Sequence, residues 1–161
     1  MNISAEQMAG ELKKYNEFRI IYHIRPDGDC IGSSYALALA LQACGAKCEV
    51  CGTYDIPPGH RYLTDNFIKD ELSEPVYIAV DCASPERTGS FENAEYTFCI
   101  DHHRNNSVDS DYKYVEEDCG ACSEIIFKLL KAMNADITPQ IADFLYLGLI
   151  ISSIKLNKTI I

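Results

Sequence analysis

The stretch His23-Ile24-Arg25-Pro26-Asp27-Gly28-Asp29-Cys30-Ile31-Gly32-Ser33 decides the fold. Before it, residues 18–24 form a short aromatic and β-branched run, the composition of a buried strand. After it, residues 31–44 carry helical apolar spacing. Residues 34–41 (SYALALAL) are small and apolar nearly all round, as in a helix packed against a sheet with little solvent contact. Pro26 and Gly28 place a tight turn between the two, so that one imidazole, His23, and two carboxylates, Asp27 and Asp29, converge at the end of a strand. Gly32 and Ser33 offer close backbone approach at the N-terminus expected for the helix.

The same alternation continues outward. Further strand-like runs at residues 48–53, 76–80 and 96–100 are separated by helical patterns at 4–15, around 61–66, 123–133 and 140–151. Gly45 closes the helix begun at 31, Pro57-Pro58-Gly59 marks a loop, and Thr138-Pro139 supplies an N-cap and a first-turn proline for the last helix. Strands alternating with helices predict an α/β fold: an open, mostly parallel sheet flanked by helices on both faces. No internal repeat, low-complexity tract or linker appears, so the expectation is one domain over residues 1–161.

Composition narrows the function classes. With 161 residues, 47% of them apolar, the chain can bury a core without disulfide or metal staples. The formal charge of −10 is unlike the basic footprint of a protein that grips long duplex nucleic acid, and a small phosphorylated substrate held through metal ions suits an acidic protein better. No apolar run approaches a membrane span, and residues 1–16 lack the pattern of a signal peptide, so a cytoplasmic protein is expected. In that compartment the eight cysteines are expected to be mostly free thiols. Cys48/Cys51 and Cys119/Cys122 have zinc spacing, but the first pair falls on a strand and the second at a helix entry, without the knuckle context that gathers thiols.

Three of the four expected strands run directly into metal-competent side chains: His23, Asp27 and Asp29 after the first, Asp81 after residues 76–80, and Asp101-His102-His103 after residues 96–100. Open α/β sheets bind ligands outside the carboxyl ends of their strands. An aspartate after a strand is usually a turn or cap residue, and a histidine pair is often polar surface. Two histidines and three aspartates at successive strand ends are harder to explain that way. Imidazole with carboxylate suits manganese, magnesium or iron rather than a thiolate zinc site.

The string H-x-x-P-D-G-D-x-x-G-S, the isolated Asp81 and the literal Asp101-His102-His103 resemble, in order, the first three motifs of the DHH phosphoesterase family. Residues 54–63 (YDIPPGHRYL) and Gly120 to Glu124 resemble its branch of oligoribonuclease/phosphoadenosine-phosphate phosphatases and cyclic-dinucleotide phosphodiesterases. The resemblance implies a Rossmann-like domain with two divalent ions, Mn2+ ahead of Mg2+ or Fe2+. One would be held by His23, Asp27 and Asp81, the other by Asp29, Asp81 and His102, with Asp81 bridging. It further implies hydrolysis of a phosphoester in a short oligonucleotide, phosphoadenosine phosphate or a cyclic dinucleotide by a hydroxide activated between the ions. His103 would contact the substrate phosphate as a cationic donor or general acid, and Asp101 would orient the neighbouring imidazoles. Arg25 and Arg104 stay outside this set as exposed cations.

The resemblance breaks near the end. Tyr146-Leu147-Gly148-Leu149-Ile150 leads where the family carries Thr-Asp-Thr-Gly, but the aspartate position falls on Ser152, followed by Ser153-Ile154-Lys155. A neutral hydroxyl weakens the second metal site, and Lys155 or Lys158 would add repulsion if turned inward. The Gly-Gly-Gly-His motif of the family's following domain does not occur in residues 1–161. Three readings stand: a truncated catalytic domain, a degenerate metal- or nucleotide-binding domain, or an active site in which Ser152 is not the true equivalent. The related manganese-dependent inorganic pyrophosphatases are a second enzymatic reading, although they usually carry Thr or Ser where this chain has Gly28. The helix at 140–151 offers an interface for a homodimer.

Overall fold

The computed structural model describes residues 2–159, with side chains through residue 154. The Lys155 and Lys158 side chains lie outside the described residues. Five strands, β1 (Glu17–Tyr22), β2 (Lys47–Cys51), β3 (Val76–Val80), β4 (Tyr96–Asp101) and β5 (Ser110–Val115), form one sheet in the order β2-β1-β3-β4-β5. Every pairing is parallel. The α/β class expected from the alternation is therefore the fold, and β5 is a strand the apolar pattern does not reveal. Its sequence, SDYKYV, is polar at alternate positions because the strand lies at the sheet edge, with only Tyr114 fully buried. The order reverses at β1: β2 lies on one side of it and β3 on the other, which opens a crevice between β1 and β3 at their carboxyl ends.

Five α-helices connect the strands: α1 (Ala5–Leu12), α2 (Gly28–Ala43), α3 (Arg61–Thr64), α4 (Cys122–Ala132) and α5 (Pro139–Thr159). Helix α2 starts three residues earlier than expected. Asp27 caps it, its Oδ1 accepting from the backbone N–H groups of Asp29 (3.0 Å) and Cys30 (3.2 Å). The helix N-terminus therefore belongs to Asp27 and Gly28, and Gly32 and Ser33 lie one turn inside it. Pro26 remains in the loop, while Gly28 serves the helix rather than a turn.

The two faces of the sheet are covered unequally. Phe18, Ile20, Ile78, Val80, Phe98 and Ile100 point into the main core with Met8 and Leu12 of α1, Leu37 and Leu41 of α2, Ile125 and Leu129 of α4, and Phe144 of α5. The alternate side chains Ile21, Ala79 and Cys99 form a smaller cluster with Cys82, Val108 and part of Phe91, under a 3-10 segment (Pro85–Phe91) and loops. The near-uniform apolarity of α2 follows from its central place, since Ile31 through Ala38 are all buried. Its far side is covered by α5, and glycines make that approach close. A Cβ on Gly32 would run into the Phe144 carbonyl and stand 3.1 Å from Gly148 N. A Cβ on Gly148 would overlap Ser123 Oγ and stand 2.7 Å from Ser123 Cβ and 2.9 Å from Asp29 Oδ1. Two backbones thus meet where no side chain fits, and this brings Ser152 down to the start of α2. The other side of α5 exposes Tyr146, Leu149, Ile150 and Ile154.

Candidate metal centre

The loops leaving β1, β3 and β4 each contain a residue in the left-handed region: Arg25 (φ 53°), Asp81 (φ 57°) and Asn105 (φ 60°). Asp and Asn tolerate this conformation at lower cost than most residues, and Asp81 adopts it directly after Val80. The sharp turn aims its carboxylate sideways into the crevice between β1 and β3, where the loops after β1 and β4 also arrive. His23, Asp29 and Asp81 are buried, Asp27, His102 and His103 half-buried, and Arg25 and Arg104 exposed.

Both buried-side imidazoles are held in the same way. His23 Nδ1 lies 2.7 Å from the Ile24 carbonyl and His102 Nδ1 3.1 Å from the Cys119 carbonyl. A carbonyl only accepts, so each Nδ1 carries the proton and each Nε2 is turned to the carboxylates. His23 Nε2 faces Asp27 Oδ2 at 3.8 Å and Asp81 Oδ2 at 3.7 Å. His102 Nε2 faces Asp81 Oδ1 at 3.4 Å and Asp29 Oδ2 at 3.9 Å. Most of these separations are too long for hydrogen bonds, and Asp81 Oδ1 is a buried carboxylate oxygen with no hydrogen-bond partner among the described residues. An anionic atom stranded among inward-facing imidazole nitrogens is the arrangement a shared cation would satisfy. The donor atoms form two compact groups, His23, Asp27, Cys30 and Asp81, and Asp81, Asp101, His102 and His103. Asp81 belongs to both.

The electrostatics agree. Burial, reinforced by Asp29 and Asp101 and partly offset by His102, pushes the Asp81 carboxyl up to about 7. Burial opposes charge on His102, but Asp81, the Cys119 carbonyl and Asp29 outweigh it and raise the imidazole to about 9. An acid and a base that both gain proton affinity mark a pocket short of positive charge. Asp101 behaves differently. Burial raises it, yet the hydrogen bonds it accepts from His103 Nδ1 (2.7 Å), from Asn106 and from the His102 backbone N–H (2.8 Å) outweigh burial and hold it below the usual carboxylate range. The Asp101 bond in turn raises His103.

Asp29 sits among donors. Its Oδ1 accepts from Ser123 N (3.0 Å), Ser123 Oγ (2.8 Å) and Ser33 Oγ (3.3 Å), and its Oδ2 from Cys122 N (2.9 Å) and Ser152 Oγ (2.9 Å). It belongs to neither compact donor group. Motif reading does not reach Ser33 as a partner of Asp29, nor Ser123, Asn106 or the Cys30 thiol, because each acquires its place from tertiary packing. Asn106 also donates to the Cys82 carbonyl (2.8 Å), tying the loop after β4 to the one after β3. Neither Cys-x-x-Cys pair contributes two thiols to a metal-competent group among the described residues. Gly28 has a packing reason: a Cβ there would run into Ile151 of α5, so Thr or Ser at this position does not fit the present packing.

Residues 17–149 match the model of the DHH family, N-terminal domain. The chain is 28% identical to the bifunctional oligoribonuclease and PAP phosphatase NrnA of Mycoplasma genitalium, over 91% of this chain and 49% of that protein. It is 29% identical to a probable manganese-dependent inorganic pyrophosphatase of Staphylococcus saprophyticus, over 84% of this chain and 46% of that one. The fold superposes on an exopolyphosphatase-related protein from Bacteroides fragilis with a TM-score of 0.82, at 18% identity, covering 92% of this chain and 49% of the other. The chain spans about half the length of the curated relatives it matches. A family match across both histidine loops, Asp81 and the first half of α5, on this parallel sheet, shows that the chain belongs to the DHH family.

Proposed function

We propose that this chain forms the metal-binding part of a divalent-metal-dependent phosphoesterase, with a short oligonucleotide or phosphoadenosine phosphate as the substrate class. The observation that carries the reading is the stranded Asp81 carboxylate, with two Nδ1-anchored imidazoles turning Nε2 toward it across the sheet crevice. His23, Asp27 and Asp81 fit one cation, and Asp29, Asp81 and His102 are the residues for a second. The mixed imidazole and carboxylate set accommodates Mn2+, and manganese appears in the name of the pyrophosphatase relative. When bound, such ions activate water and neutralise charge on a phosphoryl group.

The protein's own contribution is positional. Asp101 holds His103 through Nδ1, so that its other nitrogen, on a half-exposed ring, is available to a phosphate oxygen or a leaving group. Substrate selection is assigned to sequence beyond this domain, consistent with relatives about twice its length, and residues 1–161 are then one domain of a longer enzyme. A pyrophosphatase is the second reading, favoured by the Staphylococcus relative and opposed by Gly28, whose place against Ile151 leaves no room for a hydroxyl side chain. Hydrolysis of short oligoribonucleotides, phosphoadenosine phosphate, a cyclic dinucleotide and pyrophosphate with added Mn2+ tests the proposal. Release of phosphate from pyrophosphate alone would select the second reading. Equal rates for the native chain and Asp81→Ala on every substrate would refute both.

A further inference from the structure

Asp29 does a different job from Asp81. Helix α4 begins after Ala121, whose side chain cannot cap it, and its first backbone N–H groups have no partner within the helix. Asp29, arriving from α2, accepts from two of them, Cys122 N and Ser123 N, and so caps α4 from another element. Hydroxyls from Ser123, Ser33 and Ser152 occupy the remaining directions. A carboxylate has about four lone-pair sites, and five donors converge on this one. Asp81 lacks hydrogen bonds on Oδ1 and needs a cation; the charge of Asp29 is met by the protein itself.

Ser152 sets the difference between the two halves of the centre. Its hydroxyl bonds to Asp29 Oδ2, the oxygen that faces His102 Nε2, and it is held there by the close α2–α5 crossing at Gly32 and Gly148. Resting on the metal-centre reading above, we infer that the two seats are unequal. The seat of His23, Asp27 and Asp81 fills first, and that of Asp29, Asp81 and His102 is latched by Ser152, so that a second ion enters only by breaking the Ser152–Asp29 hydrogen bond. A hydrogen bond to a charged group is strong enough that losing it weakens second-site binding by at least about tenfold.

The test is Mn2+ binding to the metal-free 161-residue chain, followed by calorimetric titration and low-temperature electron paramagnetic resonance. One tight equivalent is expected, with a second at least about tenfold weaker, and the signal of isolated Mn2+ persists until that second equivalent binds. Ser152→Ala removes the latch while both α4 amides keep their bonds to Asp29. Its second site tightens, and an exchange-coupled signal appears at lower Mn2+. Ser152→Asp, which supplies a further carboxylate, tightens it more. Thermal unfolding of each variant verifies that it is folded. Two equivalents of equal affinity in the native chain, or an unchanged second site in Ser152→Ala, would overturn the latch and leave the proposed function standing. Absence of any Mn2+ binding would overturn both.

Discussion

Replacing Gly148 by alanine probes the crossing on which the site is built. The added methyl would lie 2.7 Å from Ser123 Cβ and 2.9 Å from Asp29 Oδ1, and would overlap Ser123 Oγ. Rotating Ser123 removes the hydroxyl clash but leaves the Cβ contact, so α5 must also move away from α2 and α4. Overpacking of this kind costs about 1–3 kcal/mol. Losing the Ser123 Oγ bond to a carboxylate costs about 1.5–3 kcal/mol more. Alanine in a helix interior returns about 1 kcal/mol over glycine. The net destabilisation is about 1.5–5 kcal/mol, which for a chain of this size lowers the melting temperature by about 3–20 °C. Gly10, in α1, is the control, since a Cβ there meets nothing within 4 Å. Gly10→Ala should be unchanged or more stable, by up to about 1 kcal/mol. Urea denaturation followed by circular dichroism in the presence of chelator measures both. If Gly148→Ala matches the native chain or follows Gly10→Ala upward, the close crossing is not a packing constraint and the account of how Ser152 reaches Asp29 fails.

Two other outcomes follow from the same structure. Asp81→Asn keeps the shape and a side chain that tolerates φ 57°, but removes a buried carboxylate whose Oδ1 has no hydrogen bond among the described residues. Melting in chelator should rise by on the order of 1–3 kcal/mol of stability, while the rise in melting temperature that added Mn2+ gives the native chain disappears; a variant that still responds to Mn2+ would contradict the role given to Asp81. At the opposite end of the sheet, Glu17 accepts from the backbone N–H groups of Ser73 (2.7 Å) and Glu74 (3.0 Å), bonds led by Glu74 that bring it from 4.5 down to about 2. A depressed carboxyl stabilises the fold above its unfolded value and loses that contribution as pH falls. Glu17→Gln should therefore be less stable at neutral pH, with a flatter acid limb between 4.5 and 2. Parallel acid limbs in the two proteins would show that these bonds do not count.

The readable parts of this sequence are those where the chain signals locally. Strands β1, β3 and β4 end in metal-competent side chains because a parallel sheet ends each strand in a loop, and the Pro, Gly and Asp residues that make those loops are visible one residue at a time. Strand β5 escaped because an edge strand buries too little to enrich its apolar content. The start of α2 lies three residues before its apolar spacing begins, because Asp27 is both a candidate ligand and the helix cap, and its second role shows only in its bonds to Asp29 N and Cys30 N. In the sequence Ser152 stands out only by the carboxylate it lacks, and its bond to Asp29 has no local signal. A serine's partner is set by which helix crosses which, and no spacing in the chain encodes that crossing.

The cap that Asp29 places on α4 joins residues 93 positions apart, and the Ser152 bond to the same carboxylate joins residues 123 positions apart. Contacts of such span form only after most of the loop-closure entropy has been lost, late in the folding of a sheet whose every pairing is already non-local. The junction at Asp29 is thus a marker of how α5 docks on α2 and α4, separate from the pairing of the sheet.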